Sequence, residues 1–179
     1  PAHGNLRSGA QNSIWSVSQD GKRMAIHSET TVEVHDLEQG LHLATLAVTN
    51  RVGMQGMALS PDGRELVVAA RDRPSIMVLD VDSGELKREL SGHNLVISRL
   101  QYSVDGTRLL SSTIGTEPIK LWDTRIWKPV CRLSGRSGTW LNAPSFSAAT
   151  QQVYAMERSF GADSLFRREA MLLRWQAPS

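Results

Sequence analysis

"SGHNLVISRLQYSVDGTRLLSSTIGTEPIKLWD", Ser91 to Asp123, opens on Gly92-His93, turns at Asp105-Gly106 and closes on Trp122-Asp123. Short alternating runs rich in β-formers flank the Asp-Gly, the preferred pair for a two-residue hairpin turn needing positive φ. The stretch therefore reads as a hairpin and, after a short loop, a third strand ending at Asp123. A fourth run, "PVCRLSG" from Pro129, follows.

The same pattern recurs along the chain. "VSQDGKRMAI" from Val17, "LSPDGRELVV" from Leu59 and "YSVDGTRLLS" from Tyr102 superpose, their turn glycines Gly21, Gly63 and Gly106 lying 42 and 43 residues apart. "VEVHD", "IMVLD" and "IKLWD" end at Asp36, Asp80 and Asp123, at intervals of 44 and 43. A weaker fourth copy reads "SFSAATQQVYAM" and then "MLLRW" ending at Trp175, without the Asp-Gly. Each copy is expected to be a four-stranded antiparallel meander. One such sheet cannot bury both its faces, so successive copies must stack, and radial stacking gives an all-β propeller.

With its Gly-His near the start of a copy and Trp-Asp closing the third strand, the sequence resembles the WD-repeat β-propeller family. Only Ser91–Asp123 carries both marks; His35-Asp36, Leu79-Asp80 and Trp175-Gln176 are degenerate forms of the closing pair. The copies are approximately 9–48, 49–91, 92–134 and 135–179, with 1–8 as a strand of a neighbouring or closing blade. Three closures stay open: a four-bladed ring, half of a ring completed by a second copy, and part of a ring whose other blades belong to a longer parent chain. The part is the expectation, because Pro1 is not a natural start and an apolar signal core is lacking at the amino end.

The resemblance also implies a hydrogen-bonded chain of His, a strand-two hydroxyl, an acid and Trp that staples a blade. Carried over, it would use His93, Thr113 and Trp122, with Gly115 where the acid is expected and Glu117 as the substitute. In the second copy Asp72 fits the acid position, but Ala70 and Leu79 replace the hydroxyl and the Trp. Blades with incomplete networks are expected to depend more on apolar packing.

The chain has 179 residues, 40% hydrophobic and 21% charged, the balance of a globular protein with a substantial core. Twenty Lys and Arg against 18 Asp and Glu give a net charge of +2, no general drive toward nucleic acid or acidic membrane. No apolar run approaches a membrane span. The single cysteine, Cys131, excludes an internal disulfide and fits a reducing, cytoplasmic setting; its apolar surroundings "VCRL" place it as a buried structural thiol. His3, His27, His35 and His42 have no ligand spacing with cysteines or acids, so neither metal nor cofactor is expected. His35, in a Trp position, is expected to pack in the core or at the rim.

A His, an acid and a hydroxyl in one repeat also fit a catalytic triad, but these residues recur with the architectural period, whereas a catalytic set is needed once. The expected function is a non-catalytic scaffold presenting loops to a protein or peptide. The alternatives are a propeller acting as an enzyme at its central channel or attached to one, and an RNA-binding face. The innermost strands are almost free of carboxylates, and the balanced charge argues against RNA. About ten extra residues in "ERSFGADSLFRREA" of the fourth copy bring Arg158, Phe160, Phe166, Arg167 and Arg168 to the face that also carries Arg51, Arg71, Arg73, Arg136 and Trp140. Aromatic and arginine side chains are enriched among interface hot spots. Trp127, on the opposite face, is expected either to anchor a second partner or to cover its blade.

Overall fold

The computed structural model describes residues 14–28, 30–48, 56–69, 73–137, 139–147, 152–159 and 169–171. All regular structure among them is strand, in four separate antiparallel sheets. The first runs β1 (Trp15–Val17), β2 (Arg23–Ser28), β3 (Thr31–Asp36), β4 (His42–Ala47), and the second β5 (Gly56–Leu59), β6 (Glu65–Ala69), β7 (Ile76–Asp80), β8 (Leu86–Leu90). The third runs β9 (Ile97–Tyr102), β10 (Arg108–Thr113), β11 (Ile119–Asp123), β12 (Lys128–Leu133). The fourth shows three strands among the described residues, β13 (Thr139–Phe146), β14 (Val153–Ser159) and β15 (Glu169–Met171). The leading strands β1, β5, β9 and β13 each touch the next, the arrangement of propeller blades.

The Asp-Gly hairpins form, but not with the two-residue turn that the dipeptide predicts. Gly21 N–H donates to Ser18 O at 3.0 Å and Ser18 N–H to Arg23 O at 2.9 Å, so four residues join the strands through a type I turn. The aspartate keeps negative φ and only Gly21, Gly63 and Gly106, at +73°, +69° and +71°, are left-handed. The serine before the turn decides this. Ser18, Ser60 and Ser103 each donate to the turn aspartate at 2.6 Å and accept the N–H of Arg23, Glu65 or Arg108 at 2.9–3.0 Å. Such side-chain bonds satisfy the backbone that a wider turn leaves open.

The second recurring aspartate caps the next turn. Asp36 accepts from Gln39 N–H at 2.7 Å, Asp80 from Ser83 N–H at 2.9 Å and Asp123 from Arg125 N–H at 2.9 Å. A bulge precedes each of these aspartates, at Val34/His35, Val78/Leu79 and Leu121/Trp122. Gly40 and Gly84 take left-handed φ at the end of this turn, and in the third sheet Trp127 takes it, at +53°. That residue was expected to anchor a partner or cover its blade. It is 8% exposed, beneath the guanidinium of Arg88, and so covers.

Three apolar cores lie between consecutive sheets. Leu66 and Val68 face the first sheet and join Val32, Val34 and Leu46; Val67 and Ala69, one residue along, face the third and join Ile97, Leu109 and Trp122. Leu110, Ile119 and Leu121 face the fourth sheet, with Leu141, Phe146 and Val153. The period of two thus commits each side chain to one core, and burial contributes about 1.5–3 kcal/mol for each large aliphatic. The outer strands β4, β8 and β12 are largely exposed. That location corrects the expectation for Cys131, which lies on β12 and is half-buried rather than buried. His35 is partly buried at the rim, its ring edge-on to His42 at 5.3 Å.

Candidate functional site

The polar residues of the third sheet converge on one buried hydroxyl. Trp122 Nε1–H donates to Ser111 Oγ at 2.8 Å, and Ser111 Oγ lies 2.7 Å from His93 Nε2. Glu117 Oε2 is 3.2 Å from His93 Nδ1 but off the N–H axis, an electrostatic contact rather than an aligned hydrogen bond. The indole can only donate, so Ser111 Oγ accepts from it and keeps its own hydrogen to donate to His93 Nε2 when the neutral imidazole carries Nδ1–H toward the carboxylate. Burial, and then the charge of Lys120, hold the His93 pKa below its ordinary value, against the pull of Glu117.

Glu117 is the hub of this arrangement. It accepts the N–H groups of Asn94 and Leu95 at 3.1–3.2 Å and lies 3.1 Å from Lys120 Nζ, which also donates to the Gly92 carbonyl. Burial pushes its carboxyl up, and the bonds from Lys120 and Asn94, with the attraction of nearby His93, more than offset that, so the net shift is down. The hydroxyl was expected at Thr113, and the structure corrects this to Ser111. Trp122 pairs with Leu109 across the sheet. At about 3.3 Å per residue Ser111 lies about 7 Å along from that partner and Thr113 about 13 Å, beyond an indole's reach. Thr113 Oγ1 is buried with no hydrogen-bond partner among the described residues.

Ser111, His93 and Glu117 have the spacing of a nucleophile, base and orienting acid. Ser111 is, however, 0% exposed and accepts the indole N–H of Trp122. A nucleophile needs a path to substrate. Among the described residues no group of three or more His, Cys, Asp or Glu could hold a metal ion, and no helix could cross a membrane.

In the third sheet the entering loop and the loop that joins β10 to β11 share one face, tied together by Glu117 and the N–H groups of Asn94 and Leu95. At that face, between the third and fourth sheets, lies a cavity of about 470 Å³ lined by Ser98, Thr113, Ile114, Trp140, Leu141 and Asn142. Ile114 is 64% exposed on its rim, and Leu95 is exposed beside it, close enough to Gly115 that a Cβ there would sit 3.1 Å from Leu95 Cδ1. On the far side Glu157 anchors the entering loop of the fourth sheet, accepting from Arg136 N–H at 2.6 Å and from Thr139 Oγ1 at 2.7 Å. Those bonds, with the Arg136 guanidinium at 3.7 Å, hold its carboxyl below the ordinary range. Val153, Ala155 and Glu157 share the buried face of β14. An acid in the third place of an apolar alternation was the sequence signal for Glu157, and it was missed.

Of the residues expected on this face, Trp140 lines the cavity, Arg136 meets Glu157, and Arg73 pairs with Glu89 at 3.6 Å. Arg158 is described in its backbone alone, opposite Trp140. Arg51, Arg71, Asp72, Phe160, Phe166, Arg167 and Arg168 lie outside the described residues. The inserted segment is shorter than the sequence implied at both ends, because 157–159 extend β14 and 169–170 belong to β15.

No family model matches the chain. It is 27% identical over 100 residues to an uncharacterized WD repeat-containing protein of Synechocystis sp., a match covering 56% of this chain and 28% of that protein. It is 27% identical over 120 residues to COMPASS component SWD3 of Saccharomyces cerevisiae, covering 65% and 37%. It is 31% identical over 112 residues to apoptotic protease-activating factor 1 of Danio rerio, covering 63% and 9%. The matched region thus spans well under half of each relative's length. With its recurring Asp-Gly and closing-Asp marks and its separate antiparallel sheets stacked by their leading strands, the chain has the fold of β-propeller blades and is similar to WD-repeat proteins.

Proposed function

We propose that the chain is a non-catalytic scaffold that presents the cavity face between its third and fourth sheets to a protein or peptide partner. The observation that carries this reading is the pairing of that cavity with exposed apolar rim residues, Ile114 and Leu95, while the one triad-like set is sealed inside the third sheet. Rigid strands hold the rim and loops supply it, the division of labour expected of an interaction surface. The name of the yeast relative, a COMPASS component, fits a role within an assembly.

Capture of partners on the immobilised chain tests the reading, with Ile114→Asp and Trp140→Ala as variants. A partner retained by the parent chain and lost from both variants supports this face. Equal retention by the parent and both variants removes it. A third variant, Phe166→Ala with Arg167→Glu and Arg168→Glu, asks whether the inserted segment contributes.

A further inference from the structure

On the face opposite the cavity, the Asp-Gly turns of neighbouring sheets lie side by side, and the clefts between them are filled differently. Between the first and second sheets the cleft holds Arg23. Its Nη1 donates to the Gly63 carbonyl at 3.2 Å and to Asp82 at 3.0 Å, and its side chain lies so close that a Cβ on Gly63 would sit 2.7 Å from Arg23 Cδ. A guanidinium of the chain itself bridges the two sheets.

Among the described residues the next cleft shows no such bridge. Arg23 pairs with Asp36 and Glu65 with Asp80 in the same register, so Glu65 is the second sheet's counterpart of Arg23. The third counterpart, Arg108, turns to Asp123 of its own sheet at 2.8 Å. Between the second and third sheets there remains a cavity of about 290 Å³ whose lining, among the described residues, includes Asp62, Glu65, Asp105 and Tyr102 and no Lys or Arg. Lys87 holds Glu65 at 2.9 Å without lining the cavity.

Tyr102 supplies the independent observation. It is 9% exposed, and its hydroxyl has no hydrogen-bond partner among the described residues. A buried hydroxyl left unpaired destabilises the fold unless something meets it. Burial, followed by the charges of Glu65 and Asp62, pushes the phenol well above its usual range, so it stays protonated and the cavity's acids are its electrostatic neighbours.

We propose that this cleft receives a guanidinium group, the arginine side chain of a protein partner, in the place that Arg23 fills one sheet earlier. A guanidinium offers five donors in a rigid plane, suited to several carboxylate oxygens and a phenol oxygen at once. Charge-assisted bonds of this kind are the strong ones. The inference rests on the scaffold reading only for the source of the arginine; the cleft's chemistry stands on its own residues.

Titration of the ¹⁵N-labelled chain with the peptide acetyl-Gly-Arg-Gly-amide tests it, with the citrulline peptide as the uncharged isostere. Saturable shifts are expected at the amides of Gly63, Gly106 and Thr107 with arginine and not with citrulline. Glu65→Arg restores the residue type of the first sheet and should close the cleft, weakening binding by about tenfold or more. Tyr102→Phe should weaken binding about two- to tenfold while leaving the unfolding temperature unchanged or raised, a combination that a purely structural hydroxyl would not give. Absence of saturable shifts, equal response to citrulline, or unchanged binding by Tyr102→Phe overturns the proposal; should Glu65→Arg not fold, Tyr102→Phe decides alone. Ile114→Asp should bind the arginine peptide as the parent chain does, which separates this test from that of the cavity face.

Discussion

Arg88, on the outer strand of the second sheet, holds its guanidinium carbon 5.7 Å from the ring centre of Trp127, which belongs to the third. The contact joins two sheets at the one turn where a bulky residue takes the left-handed backbone that Gly40 and Gly84 take in the sister turns. That conformation costs about 1–2 kcal/mol for a residue with a Cβ, and burial of the indole more than offsets it.

Trp127→Gly should therefore destabilise the chain despite relieving the backbone. Loss of a buried indole costs about 3–5 kcal/mol, so with about 1–2 kcal/mol of strain relieved a net loss of about 1–4 kcal/mol is expected in denaturant unfolding. Arg88→Ala should cost only about 0.5–1 kcal/mol, as for an exposed cation over a ring. A stabilised Trp127→Gly would show that strain outweighs packing.

Ser111→Ala and Thr113→Val separate the two hydroxyls of β10. The first strands Trp122 Nε1 and His93 Nε2 in the interior and should cost about 2–4 kcal/mol. The second replaces a hydroxyl without a partner by a methyl of equal size, and should leave stability unchanged or higher. Thermal melts of the two variants decide whether the staple runs through Ser111; the opposite ranking would return it to Thr113.

Stability should fall on mild acidification. The folded-state pKa of His93 lies below its ordinary 6.5 through burial and the Lys120 charge, so below that pH the unfolded chain binds the proton more readily than the folded one. The contribution is complete above 6.5 and is lost as pH falls through the folded value. Glu117, depressed from 4.5, adds a loss of the same sign further down. His93→Gln should be less stable at about pH 7.5 yet lose less between there and about pH 5.5. A parallel decline in both proteins would assign the effect elsewhere.

Gly21→Ala and Gly63→Ala place a Cβ in equivalent left-handed turns. Space around Gly21 is open within 4 Å, whereas Gly63 abuts Arg23. Both should lose about 1–2 kcal/mol to backbone strain, and Gly63→Ala about 1 kcal/mol more for the disturbed guanidinium bonds. A double-mutant cycle with Arg23→Ala checks the coupling: the excess should vanish when Arg23 is absent.

The repeat was readable because strands of period two and turns of fixed chemistry both leave spaced marks. Asp36, Asp80 and Asp123 announced their turns, and Gly21, Gly63 and Gly106 their hairpins. The kind of hairpin escaped notice because Asp-Gly serves two turn types, and the signal that separates them is the serine two residues before the aspartate. Ser111 and Thr113 point to the same side of one strand, so alternation could not choose between them; the cross-strand register of Trp122 could. Cys131 sits in an apolar-looking run that proves to be an outer strand, where one side packs against the edge of the core and stays partly exposed. The arginine-like cleft was invisible until Glu65 was set against Arg23 in space.

Val67 and Val68 are adjacent along one strand yet line different walls, one toward each neighbouring sheet. Inserting or deleting a single residue in such a strand would exchange the two walls from that point to the next turn, turning every fitted side chain toward the wrong neighbour. Exchanging an entire period, from one closing aspartate to the next, keeps left and right as they were. Variation by whole repeats is accordingly the route by which a chain of this construction can change its length without rewriting its interior.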